Sequence, residues 1–302
     1  MEADQMQYTD TQIPEYIAAA SLEDALIIKK ERGADARVIA GGTDLILRMR
    51  DAVLTPGILV DLRQVSLDAI SSRAGEIQFG AYVTLSQILE HTETNSMFPA
   101  LVESCRQFAG PPIRNRATLG GNIVNASPAA DLVPPLMAYD ANIVLTSSTG
   151  ERVLPLTEFF TGPGQSVMQP DEILTKISLP MMPANTAASF IKLGQRRSMA
   201  ISIVNLCTRL TLDTSGVVSA SRIVLGSVAS TPVRALEAEA ILTGQRLSDD
   251  LLISAAAKAR QEVSPITDVR ASEDYRDRMV EVLVRRALSA TREALGRRAA
   301  DD

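Results

Sequence analysis

The chain has 302 residues, 46 % hydrophobic and 22 % charged, with a formal net charge of −6. That length suits two domains of ordinary size, and the acidic balance excludes a general nucleic-acid binder, which needs a basic footprint. No apolar run reaches the length of a membrane-spanning helix, and the acidic start MEADQMQYTDTQ has no signal-peptide pattern; a cytoplasmic location is expected.

In chain order, Ser21 to Asp24 reads as a capping-box-like start for a helix that ends at Gly33. ARVIAGG (36–42) is a short strand running into a turn, and DLILRMRDAV (44–53) is a helix closed by TPG at 55–57. ILVDL (58–62) is the next strand, so residues 15–62 read as β-α-β-α-β. EIQFGAYVTL (76–85), NIVLTSS (142–148) and DEILTKISLP (171–180) read as strands, and LSQILEHTE and FPALVESCRQFAG as helices. Between them, residues 110–135 form a long irregular stretch, a length that is usually functional or disordered; its scattered apolar residues speak against disorder.

A boundary falls near MMPANTAA (181–188). Three strands follow, in ASFIKLGQRR, AISIVNLCTRLTLD and SASRIVLGSVAS, then three helices. The last helix carries Met279, Val280, Leu283, Val284, Ala287 and Leu288 at helical spacing, a core stripe. The expected architecture is α+β. One domain spans 1–180, with subdomains of about 1–62 and 63–180; a second spans 181–302.

Cys105 and Cys207 are far apart and make no CxxC, so they read as buried small hydrophobes. They are too few for an iron–sulfur cluster, which needs about four thiolates. The single histidine, His91, makes no metal-ligand pattern and ends a helix, where a cation suits the negative helix end. A His-dependent triad is thereby disfavoured.

Two glycine pairs carry the chemistry. AGGTD (40–44) is neither a Walker loop nor GxGxxG. Amides at a strand-to-helix turn can bind an anion, and glycine lets a phosphate approach; a bare capped turn explains the motif as well. TLGGNIVNASPAAD (118–131) repeats the theme with Thr118, Gly120, Gly121, Asn122, Asn125 and Asp131. An apolar loop this rich in hydrogen-bonding groups must satisfy them somehow. Two glycine loops holding a dinucleotide diphosphate would do so; a self-satisfied loop is the alternative.

AGGTDL, TLGGNIVNASPAADLVPPLMAYDA and DEILTKISLP together resemble the FAD-binding medium subunit of molybdenum hydroxylases, the group of xanthine, carbon monoxide and nicotinate dehydrogenases. The resemblance covers nearly the whole chain. It implies a two-part FAD-binding domain of the PCMH type, followed by a three-stranded antiparallel sheet with helices. It implies that residues Val38, Ile39, Ala40, Gly41, Gly42, Thr43, Asp44 and Leu45 and residues 118–122 cradle the diphosphate through amides and hydroxyls. Asn122 and Asn125 would add side-chain bonds, and Asp131 would anchor the adenosine half. Phe108 would lie beside the flavin ring, Ile173 and Leu174 would touch it with backbone, and Lys192 would place a cation near it. Ile201 would lie on a segment shielding the ring edge. Carbon monoxide enzymes tend to have His-Ser where this chain has Thr43-Asp44, which argues against carbon monoxide as substrate. Asp44 is awkward beside a diphosphate and reads as a helix N-cap or a hydroxyl acceptor.

The resemblance further implies an iron–sulfur small subunit and a molybdopterin large subunit as partners, in a dimer of heterotrimers. Electrons would pass from substrate through 2Fe-2S clusters to FAD and on to NAD, oxygen or another carrier. The chain itself would need no catalytic side chain or metal. A stand-alone FAD-dependent oxidoreductase of related fold, acting directly on a small substrate, is the alternative.

Overall fold

A computed structural model describes residues 13–73 and 75–301; the acidic start at 1–12 lies outside them. The chain opens with β1 (Glu15–Ala18), α1 (Leu22–Arg32), β2 (Ala36–Ile39), α2 (Leu45–Arg50) and β3 (Ile58–Asp61). This is the order that the apolar spacing predicts. The strands form a parallel sheet, β1-β3-β2. The Ser21 hydroxyl accepts from the Asp24 amide at 3.1 Å and starts α1. Gly33 ends it at φ 53°. Buried Lys29 then ties the helix end to β2, donating to the carbonyls of Gly33 at 3.0 Å and Ala36 at 2.8 Å.

The middle of the chain runs β4 (Ile70–Arg73), β5 (Glu76–Gly80), α3 (Leu85–Glu90), α4 (Thr92–Met97), α5 (Pro99–Gln107), α6 (Pro111–Arg114), α7 (Leu119–Val124), α8 (Val133–Ala138), β6 (Asn142–Ser147), β7 (Gly150–Pro155), β8 (Phe160–Gly162), β9 (Gln165–Ser166) and β10 (Ile173–Pro180). Five of these strands pair antiparallel as β4-β5-β10-β6-β7. Two sequence expectations change here. The strand expected over 76–85 stops at Gly80, because Thr84 and Gln87 form a capping box that begins α3. The irregular stretch at 110–135 contains α6, α7 and α8, each only a turn or so long. Prolines at the first turns of α6 and α8, and the Thr118 cap of α7, start helices too short to show a 3.6-residue pattern.

His91 ends α3, as read from the sequence, and also begins α4, where its Nδ1 accepts from the Thr94 amide at 3.3 Å.

The C-terminal part comprises β11 (Thr186–Gly194), β12 (Ser202–Leu212), β13 (Val218–Gly226), β14 (Val233–Arg234), α9 (Leu236–Leu242), α10 (Asp249–Gln261) and α11 (Glu273–Asp301). The antiparallel sheet has four strands, β11-β12-β13-β14, rather than three; the added β14 is only two residues long. Val280, Leu283, Val284, Ala287 and Leu288 of α11 are buried in the core against it, as their spacing predicts.

The two parts share one seam. Helix α8 is buried along its length and packs on β12 and β13. Phe190, Cys207 and Val224 of the C-terminal sheet belong to the same apolar cluster as Phe79, Leu119 and Leu136. Burial pushes the Cys105 thiol up to about 12 and raises that of Cys207 as well, so both remain protonated fillers of the core. Just after α8, Asp140 receives the guanidinium groups of Arg209 at 2.8 Å and Arg222 at 2.8 Å, both from the C-terminal sheet.

Candidate functional site

The AGGTD turn leaves the end of β2, at the carboxyl edge of the parallel sheet. Its two glycines have separate causes. Gly42 sits at φ 71°, in the left-handed region that favours glycine. Gly41 has no room for a side chain: a Cβ there would lie 1.8 Å from the carbonyl oxygen of Arg116. What comes close to the backbone at Gly41 is therefore the second loop. Among the described residues, no group accepts from the amides of Gly41, Gly42, Thr43 or Asp44, and the Thr43 hydroxyl has no partner. Asp44 stands at the N-cap of α2, but its side chain makes no cap bond. The capping role expected for it is not taken.

The second loop behaves differently. Thr118 is buried, and its hydroxyl accepts from the Gly121 amide at 3.1 Å, capping α7. The amides of Leu119, Gly120 and Asn122 donate to Val83, Ala81 and Thr118 carbonyls. Gly120 is needed because a Cβ would lie 2.6 Å from the Ala81 oxygen. Of these donors, those of Leu119 and Gly120 hold α7 against the segment after β5. One group is left over: Asn122 Oδ1 is buried without a partner among the described residues. Such an atom costs free energy unless something donates to it.

Two arginines lace the loops together. Arg116 Nε donates to the Gly41 carbonyl at 3.1 Å, and Arg48 Nη1 to Asn125 Oδ1 at 3.0 Å. Asn125 is thus engaged within the chain. Sequence reading passes over both arginines, since their partners are 75 and 77 residues away.

Asp131 has partners within the chain as well. It is buried, and its oxygens accept from Lys192 at 2.5 Å, Ser202 at 2.5 Å and Asn205 at 2.9 Å. These partners come from β11 and β12, so Asp131 joins the two parts of the chain. Gly226 makes space for this network, since a Cβ there would lie 2.1 Å from Asn205 Oδ1. Lys192 is no solvated lysine: its side chain is 7 % exposed. Its ammonium also reaches the Gln107 carbonyl at 3.4 Å, next to Phe108.

Phe108 closes α5 and is half-buried. Lys192, Gln107, Arg196, Met199 and Ala200 line a cavity of about 340 Å³ beside it. Ile201 follows on the same hairpin and is exposed. Ile173 and Leu174 are buried in β10, paired on one side with β6, while β5 pairs only from Lys176 onward. A bulge between Leu174 and Lys176 marks that change.

Unpaired amides on one loop and an unpaired buried carboxamide oxygen on the loop laced to it suit a ligand with an anionic, hydroxyl-bearing chain, and a flavin dinucleotide has both. Residues 7–182 match the family described as the FAD binding domain in molybdopterin dehydrogenase, and residues 189–291 match the carbon monoxide dehydrogenase flavoprotein C-terminal domain. The chain is an FAD-binding oxidoreductase subunit. It belongs to the medium-subunit flavoprotein family of the xanthine, carbon monoxide and nicotinate dehydrogenases. It is 31 % identical to the putative xanthine dehydrogenase FAD-binding subunit XdhB of Escherichia coli, over 93 % of this chain and 97 % of that protein. It is 32 % identical to the carbon monoxide dehydrogenase medium chain of Afipia carboxidovorans, over 91 % and 95 %. A solved carbon monoxide dehydrogenase from Hydrogenophaga pseudoflava, lacking the Mo-pyranopterin moiety of its cofactor, superposes with a TM-score of 0.89 at 29 % identity, covering 92 % of this chain and 96 % of that one.

Proposed function

We propose that this chain is the electron-transferring flavin subunit of a heteromeric molybdenum hydroxylase, and that it works between an iron–sulfur small subunit and an external acceptor. The carrying observation is the AGGTD turn, whose amides at 41–44 have no acceptor among the described residues, as a diphosphate site would require. On this reading Val38 to Leu45 hold the diphosphate, and Asn122 accepts from a ligand hydroxyl. Phe108 flanks the ring, with Ile173 and Leu174 on its backbone side and Lys192 supplying a fixed positive charge. When bound, FAD supplies the redox chemistry, and the protein supplies orientation and electrostatics.

The chain's own contribution is placement. The Gly41–Arg116 contact sets the two loops at a fixed separation. The Asp131–Lys192 pair fixes an ammonium beside Phe108 with its charge balanced. The half-buried ring of Phe108 offers an apolar face that keeps water from one side of a planar ligand. The reading divides the chain near residue 180, with subdomains of about 1–62 and 63–180. It gives the complex a molybdopterin large subunit, a dimer-of-heterotrimers arrangement and a cytoplasmic site of action. The acceptor is NAD, oxygen or another carrier. Among the described residues no helix is long and apolar enough to cross a membrane.

The test is anaerobic reduction. Flavin in the purified chain alone stays oxidised with purine, N-heterocycle or aldehyde substrates and is reduced once the two partner subunits are present. Reduction of the isolated chain by a small substrate would instead support the stand-alone oxidoreductase.

A further inference from the structure

We infer that Arg48 and Arg116 form a cationic pair that neutralises the diphosphate of the bound dinucleotide; this rests on the FAD reading of the two loops. A diphosphate brings negative charge, whereas the free amides at 41–44 offer only dipoles. The loop also adds a like charge of its own, Asp44. Neither glycine motif contains a lysine or arginine, so the compensating charge has to come from outside them.

Among the described residues, Arg48 and Arg116 are hydrogen-bonded to these loops without a carboxylate partner, whereas Lys192 is paired with Asp131. The two ties are reciprocal. Arg48 lies six residues beyond Gly42 and reaches to Asn125, at the end of the second loop's helix. Arg116 lies just before the second glycine pair and reaches back to Gly41. Each guanidinium uses a single nitrogen in its tie, Nη1 for Arg48 and Nε for Arg116, and neither makes an ion pair with a carboxylate among the described residues. Two unpaired guanidinium groups, each held by one bond across the same seam, keep further N–H donors for an oxyanion. Forked donors of this kind match phosphate oxygens.

The test uses the full chain stripped of flavin, as wild type, Arg48→Gln, Arg116→Gln and the double variant. FAD, ADP and adenosine affinities are measured at low and moderate salt. Each single change should weaken FAD about tenfold, as expected for a lost charge-assisted bond. The double variant should weaken it further and flatten the salt dependence. ADP should weaken with FAD, while adenosine stays within about twofold, because only the phosphates meet the arginines.

Equal loss of ADP and adenosine would overturn the inference and leave the arginines as loop struts. An FAD affinity unchanged in the double variant would overturn it as well. Wild-type chain that binds adenosine, ADP and FAD no better than a denatured control would overturn the flavin reading itself. If the glutamine pair fails to fold, Arg48→Lys with Arg116→Lys carries the test: charge is kept, so the preference for ADP over adenosine must survive, and its loss would refute the pair.

Discussion

Gly41 shows how one missing Cβ can join two loops. The carbonyl of Arg116 occupies the space a side chain would take, so Gly41→Ala must push the loops apart. The change should cost about 1–3 kcal/mol by overpacking and lower flavin retention; thermal unfolding with and without added FAD measures both. Lys29 gives a second residue-scale prediction. Burial, with Arg37 adding to it and Asp171 opposing, lowers its ammonium to about 8 from 10.5. Between those values the unfolded chain binds more protons than the folded one, so stability rises with pH from about 8 to 10.5. The charge costs on the order of 1–3 kcal/mol at neutral pH. Unfolding free energies at pH 7.5 to 10 should climb more steeply for wild type than for Lys29→Met; parallel curves would refute the assignment.

At the scale of elements, the two threonine-bearing turns make a matched comparison. Thr118 caps α7 through its hydroxyl, whereas Asp44 occupies a cap position without making the bond. Thr118→Ala should therefore cost about 1 kcal/mol, and Asp44→Ala less than about 0.5 kcal/mol, in denaturant unfolding of the flavin-free chain. Both glycine motifs were readable from sequence because their meaning is local: a strand, a tight turn, a following helix. The order β-α-β-α-β was readable for the same reason. Helices α6 to α8 were not, since proline and glycine inside a single-turn helix look the same as loop. Strands β4 and β7 escaped because, as edge strands, they are largely exposed and lack an apolar run. Arg48 and Arg116 escaped for a different reason. An arginine reads as a solvated charge until the fold shows which loop it crosses to.

Across the whole molecule, the chain passes from one sheet to another between Pro180 and Thr186, and a shared apolar cluster spans the change. Helix α8 lies buried on the C-terminal sheet, flanked by Asp131 and Asp140, and each aspartate takes cations from that sheet. Asp131 shows how a motif residue can be recognised while its partners stay hidden, because Lys192, Ser202 and Asn205 are 61 to 74 residues away. Removing one half of a buried ion pair strands the other. Asp131→Asn should cost about 3–5 kcal/mol, and Asp131→Asn combined with Lys192→Met clearly less than the two single costs added. A double-mutant cycle in denaturant reads this directly. Additive costs would mean that the pair contributes no coupling between the two halves.

The AGGTD turn and its laced partner loop are proposed to hold a flavin dinucleotide. The most direct measurement is to purify the chain, denature it, and identify by chromatography the nucleotide released. The expected release is FAD, near one per chain, with a sharp loss in Gly41→Ala. Release of FMN, or of a nucleotide without a flavin, would contradict it.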